Sequence, residues 1–154
     1  MNTASEHDHE VAASLDILNS LLRGQLAAVE SYDQALIRFE DPHLMADLQS
    51  IREDHIQAEI LLREKVLELG GEPVDFSGPW TSCTAALSGE TKATGPATAL
   101  AALRQGEEHA VNELEETLKH ESINFDCKDL IQISLLPPVR KHVVELNRLM
   151  GGVA

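Results

Sequence analysis

Four polar side chains interrupt aliphatic rows in this sequence that otherwise repeat every three and four residues: Gln25, His55, Glu107 and His142. Each has aliphatic residues one turn away on both sides of its own row. Two imidazoles and a carboxylate can do two kinds of chemistry where they meet. With neutral rings they hold a divalent metal ion; with protonated rings they close a charged hydrogen-bond network. A polar group in an aliphatic interior costs about 1–3 kcal/mol unless it is partnered, so the four are expected to face one another. One such histidine alone would be read as a structural group, and it is the set that raises the metal reading. Both readings stand at this point.

Other residues are weaker candidates. Glu59 lies one turn after His55, and Glu145 three residues after His142. Each offers a substitute carboxylate or, more plainly, a solvated group. Tyr32 shares the row of Gln25, as a neighbour of a metal or as core packing with its hydroxyl satisfied. The run Glu107-Glu108-His109, with Glu113, Glu115 and Glu116 beyond it, is rich in ligand types. On a helix only Glu107 falls on the apolar face, and the others read as solvated surface. His7 and His9, among Glu6, Asp8 and Glu10, read as a flexible acidic terminus over residues 1–9 that holds metal loosely at most. No nucleophile motif and no glycine-rich phosphate loop occurs, so no catalytic residue is assigned.

The elements that must position these residues are helices. Leu15, Leu18, Leu22, Gln25, Val29, Tyr32 and Leu36 define one face of a helix over about 10–39. Asp41-Pro42 ends it and starts the next, since aspartate caps free amides and proline tolerates the first helical position. The second helix, 42–69, carries Leu48, Ile51, His55, Ala58, Leu62 and Val66, and Gly70-Gly71 stops it. A crossover loop over 71–95 follows, with Trp80 expected to pin it to the bundle and a short helical turn near 82–87. The third helix, 96–121, carries Leu100, Leu103, Glu107, Ala110 and Leu114. The fourth, 126–150, carries Leu135, Val139, His142, Leu146 and Leu149, with a kink expected at Pro137-Pro138. Tight corners make helices 1 and 2, and again 3 and 4, antiparallel neighbours. The long crossover between helices 2 and 3 can return along the whole bundle, giving one all-α domain over 10–150 with a ferritin-like connection order.

Composition sets the outer limits. Of 154 residues, 43% are hydrophobic but only 3% aromatic, so the core is aliphatic, which favours helix over strand. The formal charge of −14 repels phosphate backbones and argues against nucleic acid as a partner. No apolar run is long enough to cross a membrane, and no signal-peptide pattern opens the chain. Cys83 and Cys127 show neither metal nor redox spacing, so a reducing, cytoplasmic setting is expected.

The stretch from Leu18 to Tyr32 resembles the first helix of bacterioferritins, in which a metal-binding glutamate occupies the position of Gln25 and a tyrosine that of Tyr32. By the same resemblance His55 matches the histidine of the family's first Glu-x-x-His motif, Glu107 the glutamate of the third helix, and His142 the histidine of the second motif. The departures are as informative. Gln25 replaces a glutamate, and Arg52 and Val139 replace the two Glu-x-x-His glutamates, so a two-iron ferroxidase centre is not expected. Arg52 would bring a positive charge toward the centre and join Gln25 and Tyr32 in a polar core network. Leu69-Gly70-Gly71-Glu72-Pro73, Gly106-Glu107 and Leu136-Pro137-Pro138-Val139-Arg140-Lys141-His142 are similar to a bacterial branch of the ferritin-like clan known only as a domain of unknown function. The resemblance implies a ferritin-like bundle in which one divalent ion, iron or zinc, is held by His55, Glu107 and His142. The alternative is a metal-free interaction module with a buried His–Glu–His network. Pairing of two bundles into a homodimer is expected for this class.

Overall fold

A computed structural model of the chain describes residues 3–76 and 95–152. The helices are α1 (Thr3–Leu36), α2 (Pro42–Glu68), α3 (Pro96–Leu118), α4 (Phe125–Leu130) and α5 (Leu136–Gly152). A π-helical turn, Ile131–Leu135, joins α4 to α5 in one continuous rod. There is no strand among the described residues. The fold is the expected four-helix bundle, with α4, the π turn and α5 together forming the fourth helix.

Local sequence sets the helix ends. Asp41 caps α2 by accepting the His43 amide at 2.9 Å, and Pro42 takes the position where a missing N–H costs nothing. At the other end Gly70 adopts a left-handed φ of 81°, the Gly71 amide reaches the Val66 carbonyl and the Gly70 amide the Leu67 carbonyl. This double closure satisfies carbonyls that a helix end leaves bare. The chain leaving α2 is then tied to α1: Asn19 donates to the Glu72 carbonyl and accepts from the Val74 amide, both at 3.1 Å.

Two aliphatic clusters fill the bundle, one above and one below a polar layer. The first joins Tyr32 and Ala35 of α1 with Leu44, Leu48 and Ile51 of α2, Leu100 and Leu103 of α3, and Leu146 and Leu149 of α5. The second joins Leu18 and Leu22 with Leu62 and Val66, Leu114, and Ile131, Leu135 and Val139. The late part of α1 thus shares a level with the early parts of α2 and α3 and the late part of α5. Hence α1 and α2 run antiparallel, as do α3 and α5, and the end of α2 and the start of α3 lie at opposite ends of the bundle, whose length is about 40 Å for a 27-residue helix.

Several boundaries differ from expectation. The first helix starts at Thr3 rather than near Glu10, because residues 5–9, exposed and polar, continue the helix as a solvated extension. It stops at Leu36, and Phe39 folds back into the first cluster after a turn closed by Arg38 N–H on the Ala35 carbonyl. The third helix ends at Leu118, and the fourth runs on through Gly151-Gly152. The expected irregularity at Pro137-Pro138 takes the form of a π turn just before them. There the Leu136 amide reaches back five residues to the Ile131 carbonyl, which relieves the crowding prolines impose on the preceding turn. The helical turn expected near 82–87, Trp80 and Cys83 lie outside the described residues.

Candidate metal centre

Between the two aliphatic clusters, one polar residue from each long helix reaches the bundle axis. Gln25, His55, Glu107 and His142 are all buried, none more than 5% exposed. The Glu107 carboxylate is the hub. Its Oε1 lies 2.6 Å from His55 Nε2 and accepts from the Tyr32 hydroxyl at 2.7 Å, while its Oε2 lies 3.4 Å from His142 Nδ1. The imidazole ring centres are 5.0 Å apart. The three sequence candidates therefore do meet, with one ligand atom from each within 4.8 Å of the others.

The outer ring nitrogens are committed elsewhere. His55 Nδ1 faces the amide oxygen of Gln25 at 2.7 Å, and His142 Nε2 faces a carboxylate oxygen of Asp54 at 2.8 Å. Both partners only accept, so both outer nitrogens donate. The inner nitrogens are directed at the Glu107 carboxylate and donate to it; a ring that gave up that proton to an incoming ion would present its lone pair at the same place. Histidine ligands of metal ions are held in the same manner, by an acceptor on the outer nitrogen.

Electrostatics follow from this packing. Burial alone would raise the Glu107 carboxyl, but the charge of His55 and hydrogen bonds from both imidazoles overcome it and hold the group well below the usual carboxylate range. For His142, burial alone would depress the ring. Glu107, by hydrogen bond and charge, and then Asp54 outweigh that and raise it above the ordinary histidine value.

The other candidates fall outside the centre. Arg52 does not enter the core network: its guanidinium turns to the flank and pairs with Asp33 at 2.6 Å, since a charge so placed keeps part of its hydration. Glu59 pairs with Arg63 and Glu145 with Arg148 on the surface, so neither is a substitute ligand. Tyr32 is in contact through Glu107, as is Gln25 through His55. Val139 packs in the second aliphatic cluster. The interior row of the second helix does not include Asp54, because a residue adjacent to His55 projects about 100° away from it; its role depends on where the neighbouring helix places His142.

The donor set decides which metal content fits. A two-iron centre needs several bridging carboxylates, and among the described residues only Glu107 is a buried one. A single ion fits: two imidazoles and one carboxylate are a common donor set for iron(II) and for zinc. Such an ion holds ligands at about 2.0–2.2 Å, so ligand atoms that lie within 4.8 Å of one another close in by about an ångström to share it.

A bundle of two antiparallel hairpins carrying inward histidine and glutamate at mid-height has the ferritin-like fold. The chain belongs to the family described as Domain of unknown function (DUF2383), whose model matches residues 13–120. No curated protein matches it. Among solved structures it is similar to a ferritin-like, diiron-carboxylate protein of Bacillus anthracis, at 22% identity and a TM-score of 0.72 over 92% of this chain and 98% of that one. A conserved hypothetical protein of Mycobacterium tuberculosis matches at 12% identity and a TM-score of 0.72, over 90% and 97% of the two chains. A dodecameric thioferritin, the bacterioferritin-related protein of Bacteroides fragilis, matches at 18% identity and a TM-score of 0.73, over 93% and 87%. At such identities these likenesses speak for the fold.

Proposed function

We propose that this bundle holds one divalent metal ion, iron or zinc, through His55 Nε2, His142 Nδ1 and the Glu107 carboxylate, and serves in metal handling or stress response. The observation that carries the reading is the pair of outer acceptors, Gln25 Oε1 and Asp54 Oδ2, which fix both rings with their inner nitrogens toward Glu107. Charge supports it too. With both rings protonated, the carboxylate and the two imidazolium groups sum to one positive charge; with both neutral and a divalent ion bound, the sum is the same. Exchange of two protons for the ion therefore leaves the net charge of the buried layer unchanged. Tyr32 holds the carboxylate through Oε1, and the aliphatic clusters close the site above and below. A bound ion would supply Lewis acidity or, for iron, a redox couple; the chain's own residues supply its ligation and the orientation of the rings.

Elemental analysis of protein purified without chelator and reconstituted with iron(II) or zinc tests the reading. About one equivalent per chain supports it, with His55→Ala abolishing it; less than a tenth of an equivalent overturns it.

A second reading rests on the same carboxylate. Glu107 already has three partners, Tyr32, His55 and His142, so the layer can stand as a closed polar network that sets helix register. In that case added zinc leaves the melting temperature unchanged. A strong rise that is lost in His55→Ala favours the metal site.

Assembly into a homodimer in a reducing, cytoplasmic setting belongs to the same proposal. Ile60 and Leu67, exposed on one face of α2, supply apolar surface for pairing, and Cys127 is a buried free thiol. Light scattering should give a mass about twice 16.8 kDa; a monomer mass contradicts it.

A further inference from the structure

A cleft between α1 and α3 reaches the centre from solvent. Gln25, Tyr32, His55 and Glu107 form its floor, and its interior measures about 50 Å³. A water molecule needs about 10–15 Å³ on that measure, so the space takes a few waters or a partly hydrated ion. Pockets for organic ligands are larger, roughly 300–1,000 Å³.

The walls carry short side chains, Gly24 and Ala28 on α1 and Gly106 and Ala110 on α3. Gly24 is informative. Its φ is negative, and a Cβ added there would meet nothing within 4 Å. Neither backbone conformation nor close packing calls for glycine, although glycine inside a helix costs about 0.5–1 kcal/mol relative to alanine. What its missing side chain does is leave the cleft wall bare.

At the mouth stand His109 and Glu113, one turn apart on α3, with Nε2 and Oε2 separated by 3.6 Å. No Lys or Arg is among the described residues lining the cleft. On the opposite side of the centre Asp54 is half-exposed, but it meets the outer nitrogen of His142, so that ring lies between it and Glu107.

We propose that this cleft is the entrance by which a hydrated divalent cation reaches the inner centre, with His109 and Glu113 as an outer capture site at its mouth. The proposal rests on the metal-binding reading above. It divides the acidic run of α3 into two stations: Glu107 inside, and His109 with Glu113, about half a turn and one and two-thirds turns further along, outside. The capture pair exchanges waters for its own donors loosely, in solvent, and the short side chains along the cleft let the ion pass to the buried donors.

Stopped-flow absorbance of Co²⁺ uptake by the full chain tests it, with three proteins compared. For Gly24→Leu, a substitution that suits a helix and fills the cleft, the expected result is association slowed at least about tenfold, with release slowed alike and Kd within about threefold of the unaltered chain. For His109→Ala combined with Glu113→Gln, which alters only side chains at the mouth, association slows at least about threefold. Uptake by Gly24→Leu at the unaltered rate, or slowed uptake with Kd weakened in proportion, would overturn the entrance while leaving the inner centre in place. Failure of the unaltered chain to take up Co²⁺ at all would overturn both readings.

Discussion

Asp54 and Gln25 do for the two histidines what the rings cannot do alone: they choose which nitrogen turns inward. Replacing Asp54 by asparagine keeps the shape but allows the outer nitrogen of His142 to be met by an amide in either orientation. Outer-partner changes of this kind typically weaken metal binding about 10–100-fold, and competition titration with zinc should show a loss in that range for Asp54→Asn. Arg52→Ala, by contrast, removes an ion pair on the flank with Asp33, of the kind worth about 0–1 kcal/mol, and should leave zinc affinity unchanged. A second residue-scale expectation concerns pH. Because the folded-state value of His142 is raised, its ion pairing stabilises the metal-free protein fully below the ordinary histidine value and is lost as pH rises through the raised one. Glu107 has the opposite sense: its depressed value gives stability that is present above the usual carboxylate range and is lost in acid. Urea unfolding of metal-free protein should therefore weaken on going from pH 6 to pH 9, and His142→Gln should flatten that slope; an unchanged slope in the variant contradicts the assignment. At this scale the inward residues were legible, since a polar residue flanked by leucine on a helical row announces itself. Asp54 was not, because its function depends on a neighbour 88 positions away and on a face the row does not include. Arg52 was misplaced for a related reason: three residues before His55 is near the interior row, but a long side chain can turn aside to keep its charge in water.

The π turn shows how an element settles a conflict within its own sequence. Cys127, Ile131, Leu135 and Val139 are buried at three successive steps of four residues, more than the 3.6-residue period of an α-helix allows on one face. One widened turn absorbs the excess and keeps the row aimed inward, so that His142 arrives at the level of Glu107. The same widening moves Pro137 and Pro138 away from the carbonyls they would crowd. Deleting Ser134 should restore an α-helical period but return the prolines to that clash, at a cost of about 3 kcal/mol or more. Deleting Ser134 together with Pro137→Ala and Pro138→Ala should recover most of it. Equal destabilisation with and without the prolines, by urea unfolding, would contradict this coupling. The prolines alone suggested an irregularity in the fourth helix; its kind and place follow from the buried spacing upstream. The capping of α2 by Asp41 and its closure at Gly70-Gly71 were readable directly, because each depends on a few adjacent residues.

At the scale of the molecule, rows of Leu, Ile and Val with few aromatic residues, two tight corners and one long crossover were enough to indicate the bundle. Which faces leave a passage between them was not, since a cleft depends on the distance between two helices rather than on either alone. The formal charge of −14 adds a field that draws cations toward the surface. Lengthening the ionic strength series from about 10 mM to about 150 mM shortens the screening distance from roughly 30 Å to 8 Å. Association of a divalent ion should slow several-fold over that range, while release changes little; rates independent of salt would remove the electrostatic contribution. The two aliphatic clusters hold the four helices whether or not an ion is bound, so metal-free protein should remain folded and helical by circular dichroism.

The central claim is that three side chains from three helices gather around one ion at mid-height of the bundle. Anomalous diffraction at the zinc edge from crystals of zinc-reconstituted protein measures this most directly. One strong peak is predicted within bonding distance of His55 Nε2, His142 Nδ1 and the Glu107 carboxylate, and it should vanish in Glu107→Gln. No peak between those three groups, with zinc found only at surface positions such as His7 and His9, would contradict the account.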